Sequence, residues 1–177
     1  MVVIITGPAG CGKTSCLTRL AEQWKQKHIR VDGILAPSVT RNNDLRQYNL
    51  RFIATGRELP FASSANNKNS VQTGKFYFNS ETLATGKRYL ASIPLDKTDI
   101  LIMDEIGPLE LEGKMWANEF SAILASDHPV LVVSMRPAIV QQALKKWKLK
   151  GSLIIECRQK HIEEIFNIIN DLFNNIK

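Results

Sequence analysis

The chain has 177 residues, 44% of them apolar and 23% charged, with a formal net charge of +6. That length fits one domain, read here as 1–177, and lets about 70% of the unfolded surface be buried. Apolar runs stop at about five or six residues, far short of the ~20 that cross a bilayer, and "MVVII" lacks the basic flank and cleavage site of a secretory leader, so neither a membrane partner nor export is expected.

The run "VVIIT" (2–6) is apolar on both parities, the pattern of a strand buried on both faces. Leu17, Leu20, Ala21, Trp24 and His28 recur at helical spacing, so 13–27 reads as a helix. "RVDGILAP" (30–37) reads as a second strand ended by Pro37. Two short strand-like runs around "ATG" in 47–61 predict a β-hairpin. The polar, aperiodic stretch 63–70 reads as a loop, and "KFYF" (75–78) as a short strand. Asn79 or Ser80 then caps a helix over 80–91. "DILIMDE" (99–105) is a buried strand ending in two acids, followed by a helix over 116–125 and a buried strand "PVLVVS" (129–134). Ile139, Val140, Ala143, Leu144 and Trp147 make a helical stripe, "SLIIE" (152–156) is strand-like, and Ile162, Ile165, Phe166, Ile169, Leu172, Phe173 and Ile176 share one helical face. Doubly apolar strands alternating with amphipathic helices predict an α/β fold, a three-layer sandwich with a mostly parallel sheet and an added hairpin.

"GPAGCGKTS" (7–15) matches the phosphate-loop pattern through Gly7, Gly12, Lys13 and Thr14, between the strand and the helix it requires. Gly7, Gly10 and Gly12 permit close backbone approach, and Gly7, Pro8, Ala9, Gly10, Cys11 and Gly12 form the expected nucleotide-binding loop, whose N–H groups converge on phosphate. The helix N-terminus adds positive potential. Lys13 is expected on the β- and γ-phosphates, Thr14 on Mg²⁺, and Ser15 near the α-phosphate. Asp104, at the C-terminal end of its strand, supplies the carboxylate for Mg²⁺. Glu105 is placed to orient or deprotonate an attacking water. Ser134 is the candidate γ-phosphate sensor, on a strand expected between the other two, and Arg136 the candidate for neutralising transition-state charge.

Three cysteines, Cys11, Cys16 and Cys157, form no CxxC pair and are odd in number, which argues against a disulfide framework or zinc site and for free thiols in the cytoplasm. "KKWKLK" (145–150) reads either as a helix end with solvated cations or as a nucleic-acid contact.

"GPAGCGKTS", "VDGILAP", "TGKFYF" and "LIMDEIGPLEL" follow one another in an order that resembles the THEP1-type nucleoside-triphosphatase family, which includes the cancer-related NTPase. "DEIGPLEL" (104–111) is the most specific of these stretches. The resemblance implies a RecA-like P-loop fold, magnesium as cofactor, and hydrolysis of ATP, GTP and other nucleoside triphosphates with loose base preference. Lys13, Thr14, Asp104 and Glu105 match the family's motif positions. The chain departs from the family in "SVTRNND" (38–44), which leaves Arg41 an approximate match, and in "ECR" (156–158), where Arg158 remains a candidate base contact. Two rival functions stay open: a P-loop kinase acting on a nucleotide or small molecule, and a nucleotide-gated module that binds RNA or a protein.

Overall fold

The computed structural model describes residues 1–39, 46–65, 70–127, 129–158 and 160–176. Strands β1 (Val2–Thr6), β2 (Val31–Leu35), β3 (Gln47–Phe52), β4 (Glu58–Ser63), β5 (Ser70–Thr73), β6 (Phe76–Asn79), β7 (Ile100–Met103), β8 (Val130–Met135) and β9 (Leu153–Glu156) form one sheet. The helices are α1 (Lys13–Gln26), α2 (Ser80–Ser92), α3 (Pro108–Leu111), α4 (Ala117–Ala125), α5 (Pro137–Lys146) and α6 (Ile162–Ile176). The spatial strand order is β5-β6-β4-β3-β2-β7-β8-β1-β9.

The sheet has two halves. From β2 through β7, β8 and β1 to β9, every pairing is parallel. From β2 outward through β3, β4, β6 and β5, every pairing is antiparallel. The sheet is therefore mixed rather than mostly parallel. β1, β7 and β8 are buried along their whole length, because helices cover both faces and each parity of an apolar strand meets a core. Val2 and Ile4 of β1 face one core with Leu101 and Met103 of β7, packed under Leu90, Phe120 and Val140 of α2, α4 and α5. Val3 and Ile5 face the other with Ile100 and Ile102, packed under Leu17 and Trp24 of α1 and Ile165 and Phe166 of α6. The rings of Trp24 and Phe166 meet at 5.9 Å.

Gly33 fixes how closely β2 can lie against β7. Its φ is +122°, and a Cβ built there would fall 2.0 Å from the Ile102 carbonyl oxygen. Only glycine admits that conformation and that approach.

One further expectation, the place of His28, needs correction, and two short elements, β5 and α3, went unread. The short strand read at 75–78 is β6, and the loop read over 63–70 lies largely outside the described residues, but β5 went unread; it pairs antiparallel with β6 from Ser70↔Asn79 to Thr73↔Phe76. β5 is an edge strand of polar sequence with Val71 60% exposed, so it carries no alternation for the sequence to reveal. His28 leaves the α1 stripe: it sits at φ +61° beyond the helix, exposed, while the amide of Ile29 closes the turn on the Trp24 carbonyl at 3.0 Å. That is a left-handed helix stop, which rotates the next side chain off the helical face. α3 went unread because it is a single turn with proline at its start, too short to show a period. "KKWKLK" does carry a helix end, since α5 closes at Lys146 and the four lysines of the stretch are exposed. Trp147 packs edge-on against Phe120 at 4.9 Å and donates its indole N–H to Ser121, and the Lys146 ammonium donates to the carbonyls of Glu110 and Leu111.

Among the described residues no helix is long and apolar enough to cross a membrane.

Candidate active site

β1 ends at Thr6 and α1 begins at Lys13, so residues 7–12 form the turn between a buried strand and a helix N-terminus. Gly12 takes the N-cap at φ +96° with no side chain capping the turn, and no acidic residue lies in the first turn of α1. By contrast α2 has the Asn79 side chain accepting from the Thr82 amide at 2.9 Å and Glu81 in its first turn. The amides at the start of α1 are thus left without side-chain partners, the condition under which a helix end receives an anion. Pro8, Ala9, Gly10, Gly12 and Ser15 are exposed, Cys11 and Thr14 are half-buried, and Gly7 is buried. Lys13 is only 7% exposed. Its ammonium folds back on the loop, donating to the carbonyls of Gly7 at 2.9 Å and Pro8 at 3.2 Å.

The carboxylates come from the next strands of the same edge. β8 lies between β1 and β7, with Ile5 level with Ser134 and Met103 level with Val133. Asp104, the residue after β7, is therefore level with Ser134. Asp104 is 2% exposed, and both its oxygens are fixed. Oδ1 accepts a short hydrogen bond from the Ser134 hydroxyl, and Oδ2 accepts from the Ala36 amide at 3.2 Å. Ser134 has no exposed surface; in this structure its hydroxyl is spent on Asp104 rather than directed at solvent. Glu105 is more open, with Oε1 accepting from Arg136 Nε at 2.9 Å and side-chain exposures of 31% and 50%. At that exposure the pair contributes roughly 0–1 kcal/mol, which leaves both side chains able to change partners.

A cleft of about 430 Å³ joins these groups. Thr14, Asp104, Glu105 and Arg136 line one end, and Tyr48, Phe61, Phe76, Phe78 and Trp116 the other. Lys75, at the β5–β6 turn, also reaches it. The aromatic end is braced from within, since Phe61 stacks on Trp116 at 5.5 Å and meets Phe78 edge-on at 5.3 Å. Lys13, next to Thr14, lies behind the loop rather than on the cleft wall. Arg158 is exposed beyond the end of β9, on the other side of β1 from Asp104. Arg41 lies outside the described residues. A smaller hollow of about 210 Å³ near Tyr48, Pro60 and Tyr77 contains none of the predicted site residues.

Glu110 was missed by the sequence reading. It is 4% exposed, its carboxylate accepts from the amides of Gly107 at 2.7 Å and Trp116 at 3.5 Å, and it lines the cleft. Burial outweighs those two hydrogen bonds and pushes its pKa up to about 7. The signal was legible: Gly107-Pro108-Leu109-Glu110 has proline at the first helical position and glutamate at the third, the spacing of a capping box.

Among the described residues no group of three or more His, Cys, Asp or Glu side chains is arranged to hold a metal ion. A site built from one hydroxyl and one carboxylate needs no such group, because Mg²⁺ takes one or two protein ligands beside phosphate oxygens and water.

The family model described as NTPase matches residues 2–170. The chain belongs to that family. Among its relatives, the nucleoside-triphosphatase THEP1 of Sulfolobus acidocaldarius is 29% identical over 175 residues, covering 98% of this chain and 96% of the relative. The proteins of the same name from Methanocaldococcus jannaschii and Saccharolobus solfataricus are 28% and 30% identical, covering 96% and 76% of this chain and 97% and 75% of the relatives. In solved structures, the fold is shared with a human cancer-related nucleoside triphosphatase (TM-score 0.73, 16% identity, 96% of this chain and 97% of that one) and with THEP1 from Aquifex aeolicus (TM-score 0.64, 21% identity, 95% and 98%). The THEP1-type resemblance read from the motifs is thereby borne out.

Proposed function

We propose that this NTPase-family chain is a Mg²⁺-dependent nucleoside-triphosphate phosphohydrolase, converting ATP, GTP and related triphosphates to diphosphate and phosphate in one domain spanning 1–177. The observation that carries the reading is the meeting of Thr14, Asp104, Glu105 and Arg136 around one cleft, directly after the loop whose amides are free for an anion. The parallel order β9-β1-β8-β7-β2, with β8 between the loop strand and the acidic strand, supports the RecA-like assignment.

In this reading the backbone N–H groups of Gly7 and of Ala9 to Thr14 grip the β-phosphate and Ser15 lies near the α-phosphate. The Lys13 ammonium, held by two carbonyls, exchanges them for phosphate oxygens, a shift that costs little because one set of acceptors replaces another. Thr14 and Asp104 hold magnesium, which when bound neutralises charge on the β- and γ-phosphates. Ser134 acts on the phosphate through Asp104, fixing the carboxylate so that no reorganisation is needed during the reaction. Glu105 positions a water and takes its proton, an effect typically worth ~10²–10⁴ in rate. Arg136, released from Glu105, neutralises charge on the transferring group. Arg158, on the far side of the loop, is placed for the base. Base preference is broad in this reading, and the free thiols suit a cytoplasmic setting.

The test is release of free phosphate from Mg–ATP and Mg–GTP with no acceptor present, which this reading predicts for both. A kinase is the second reading, favoured by the size and aromatic lining of the cleft beyond Glu105. It predicts no release until an acceptor alcohol or nucleotide is added. An RNA-gated module has less support, because Trp147 of the basic stretch is engaged with Phe120 and Ser121.

A further inference from the structure

The mechanism leaves the thiols unused, yet they are not scattered. Cys11 lies in the phosphate loop, Cys16 in the first turns of α1, and Cys157 just beyond β9, 141 residues further along the chain. The fold brings them together. A Cβ built on Gly7 would lie 2.5 Å from Cys11 Sγ and 3.8 Å from Cys157 Cβ. The thiols of Cys11 and Cys16 both lie near enough to that of Cys157 to act on it electrostatically. Its amide donates to the Thr6 carbonyl at 2.8 Å, which ties it to the strand that carries the loop. Every cysteine of the chain therefore meets beneath the residues that would hold the phosphate. No metal-binding group explains the cluster among the described residues, and a core needing small apolar volume would be served as well by alanine or valine.

We propose that Cys11 and Cys157 are an oxidation site: a peroxide joins them in a disulfide that locks the phosphate loop to the end of β9 and turns nucleotide binding off. The inference rests on the loop being the phosphate site. Both thiols are half-buried and reach solvent, whereas Cys16 is buried. Cys11 sits in the loop between Gly10 and Gly12, both exposed, so peroxide reaches it first. Its thiolate attacks one peroxide oxygen, the O–O bond breaks, and the leaving hydroxide takes up a proton as water, leaving a sulfenic acid. The Cys157 sulfur then attacks the sulfenic sulfur, the S–O bond breaks, and the departing hydroxyl carries off the Cys157 proton as a second water. Two thiols lose two electrons and one peroxide gains them. A disulfide needs its Cα atoms about 4.4–6.8 Å apart with a defined dihedral. Closing it fixes the middle of a loop whose amides must converge on phosphate, and a dithiol reductant reverses it by exchange.

The experiment treats the full chain with a small excess of hydrogen peroxide. It reads free thiols by alkylation, cross-linked peptides by mass spectrometry, and affinity for a Mg²⁺-bound non-hydrolysable ATP analogue by calorimetry. The expected result is loss of two thiols, a Cys11–Cys157 linked peptide, at least tenfold weaker binding, and recovery of binding with dithiothreitol. Bound analogue should slow the oxidation. Cys157→Ser should bind the analogue like the unmodified chain and form no link, keeping its affinity through brief peroxide exposure. A Cys16–Cys157 link, or Cys11 oxidised with no link, overturns the pair. A Cys11–Cys157 link with unchanged affinity overturns the switch alone. If the reduced chain binds no nucleotide, the phosphate-site reading fails and the switch fails with it, while the linked peptide still reports on the pair.

Discussion

The two halves of the sheet obey different rules. In the parallel half the central strands β1, β7 and β8 are short apolar runs buried on both faces, and the C-terminal edge carries the phosphate loop, Asp104, Ser134 and Glu105. The antiparallel half has half-exposed strands, a register shift between Tyr48 and Asn49, and an exposed polar edge strand. It supplies the aromatic end of the cleft. The parallel half thus sets the candidate phosphate and carboxylate groups on buried strands, and the antiparallel half lines the cleft with aromatic rings.

That contrast can be broken first at the seam. Gly33→Ala in β2 should lower stability by about 4 kcal/mol, because the new methyl meets the Ile102 carbonyl at 2.0 Å. Urea unfolding measures it, and a loss below about 1 kcal/mol would mean β2 moves freely relative to β7. The next effect concerns Glu110. Its folded pKa of about 7 lies above the ordinary 4.5, so between those values the native state holds more protons than the unfolded one. Stability should fall as pH rises from about 4.5 to about 7, by about 3 kcal/mol. Glu110→Gln should flatten that decline in urea midpoints measured at pH 5 and pH 8; an unaltered slope would show that the carboxyl is well solvated. The smallest effects belong to the antiparallel half. Phe76→Ala should cost about 1 kcal/mol of stability and leave phosphate release from ATP within about twofold, as long as the aromatic end is not where the triphosphate binds. Val71→Thr, on the exposed edge, should change stability by less than about 0.5 kcal/mol.

The same contrast explains what could be read in advance. β1, β7 and β8 announce themselves because burial on both faces makes every residue apolar, and α6 because one face carries all its aliphatic and aromatic side chains. The loop from Gly7 to Thr14 and the pair Asp104 and Glu105 are legible because phosphate chemistry requires particular residues at particular spacings. β5 was not legible, since its order comes from pairing with β6 and not from its own side chains. The aromatic lining of the cleft was missed for a related reason, whereas Glu110 carried a local capping signal that was overlooked. Tyr48, Phe61, Phe76 and Trp116 are far apart in sequence and acquire a common wall only when the antiparallel half folds over the end of β7. The cysteines were counted correctly as free, but only β1 pairing with β9 brings Cys157 under the phosphate loop.

The central claim is that the loop binds the triphosphate while Glu105 activates the attacking water. Its most direct test pairs calorimetric affinity for a Mg²⁺-bound non-hydrolysable ATP analogue with the rate of phosphate release, in the natural chain and in Glu105→Gln. The account predicts unchanged affinity and a rate lowered by ~10²-fold or more. Equal rates in the two proteins would contradict it.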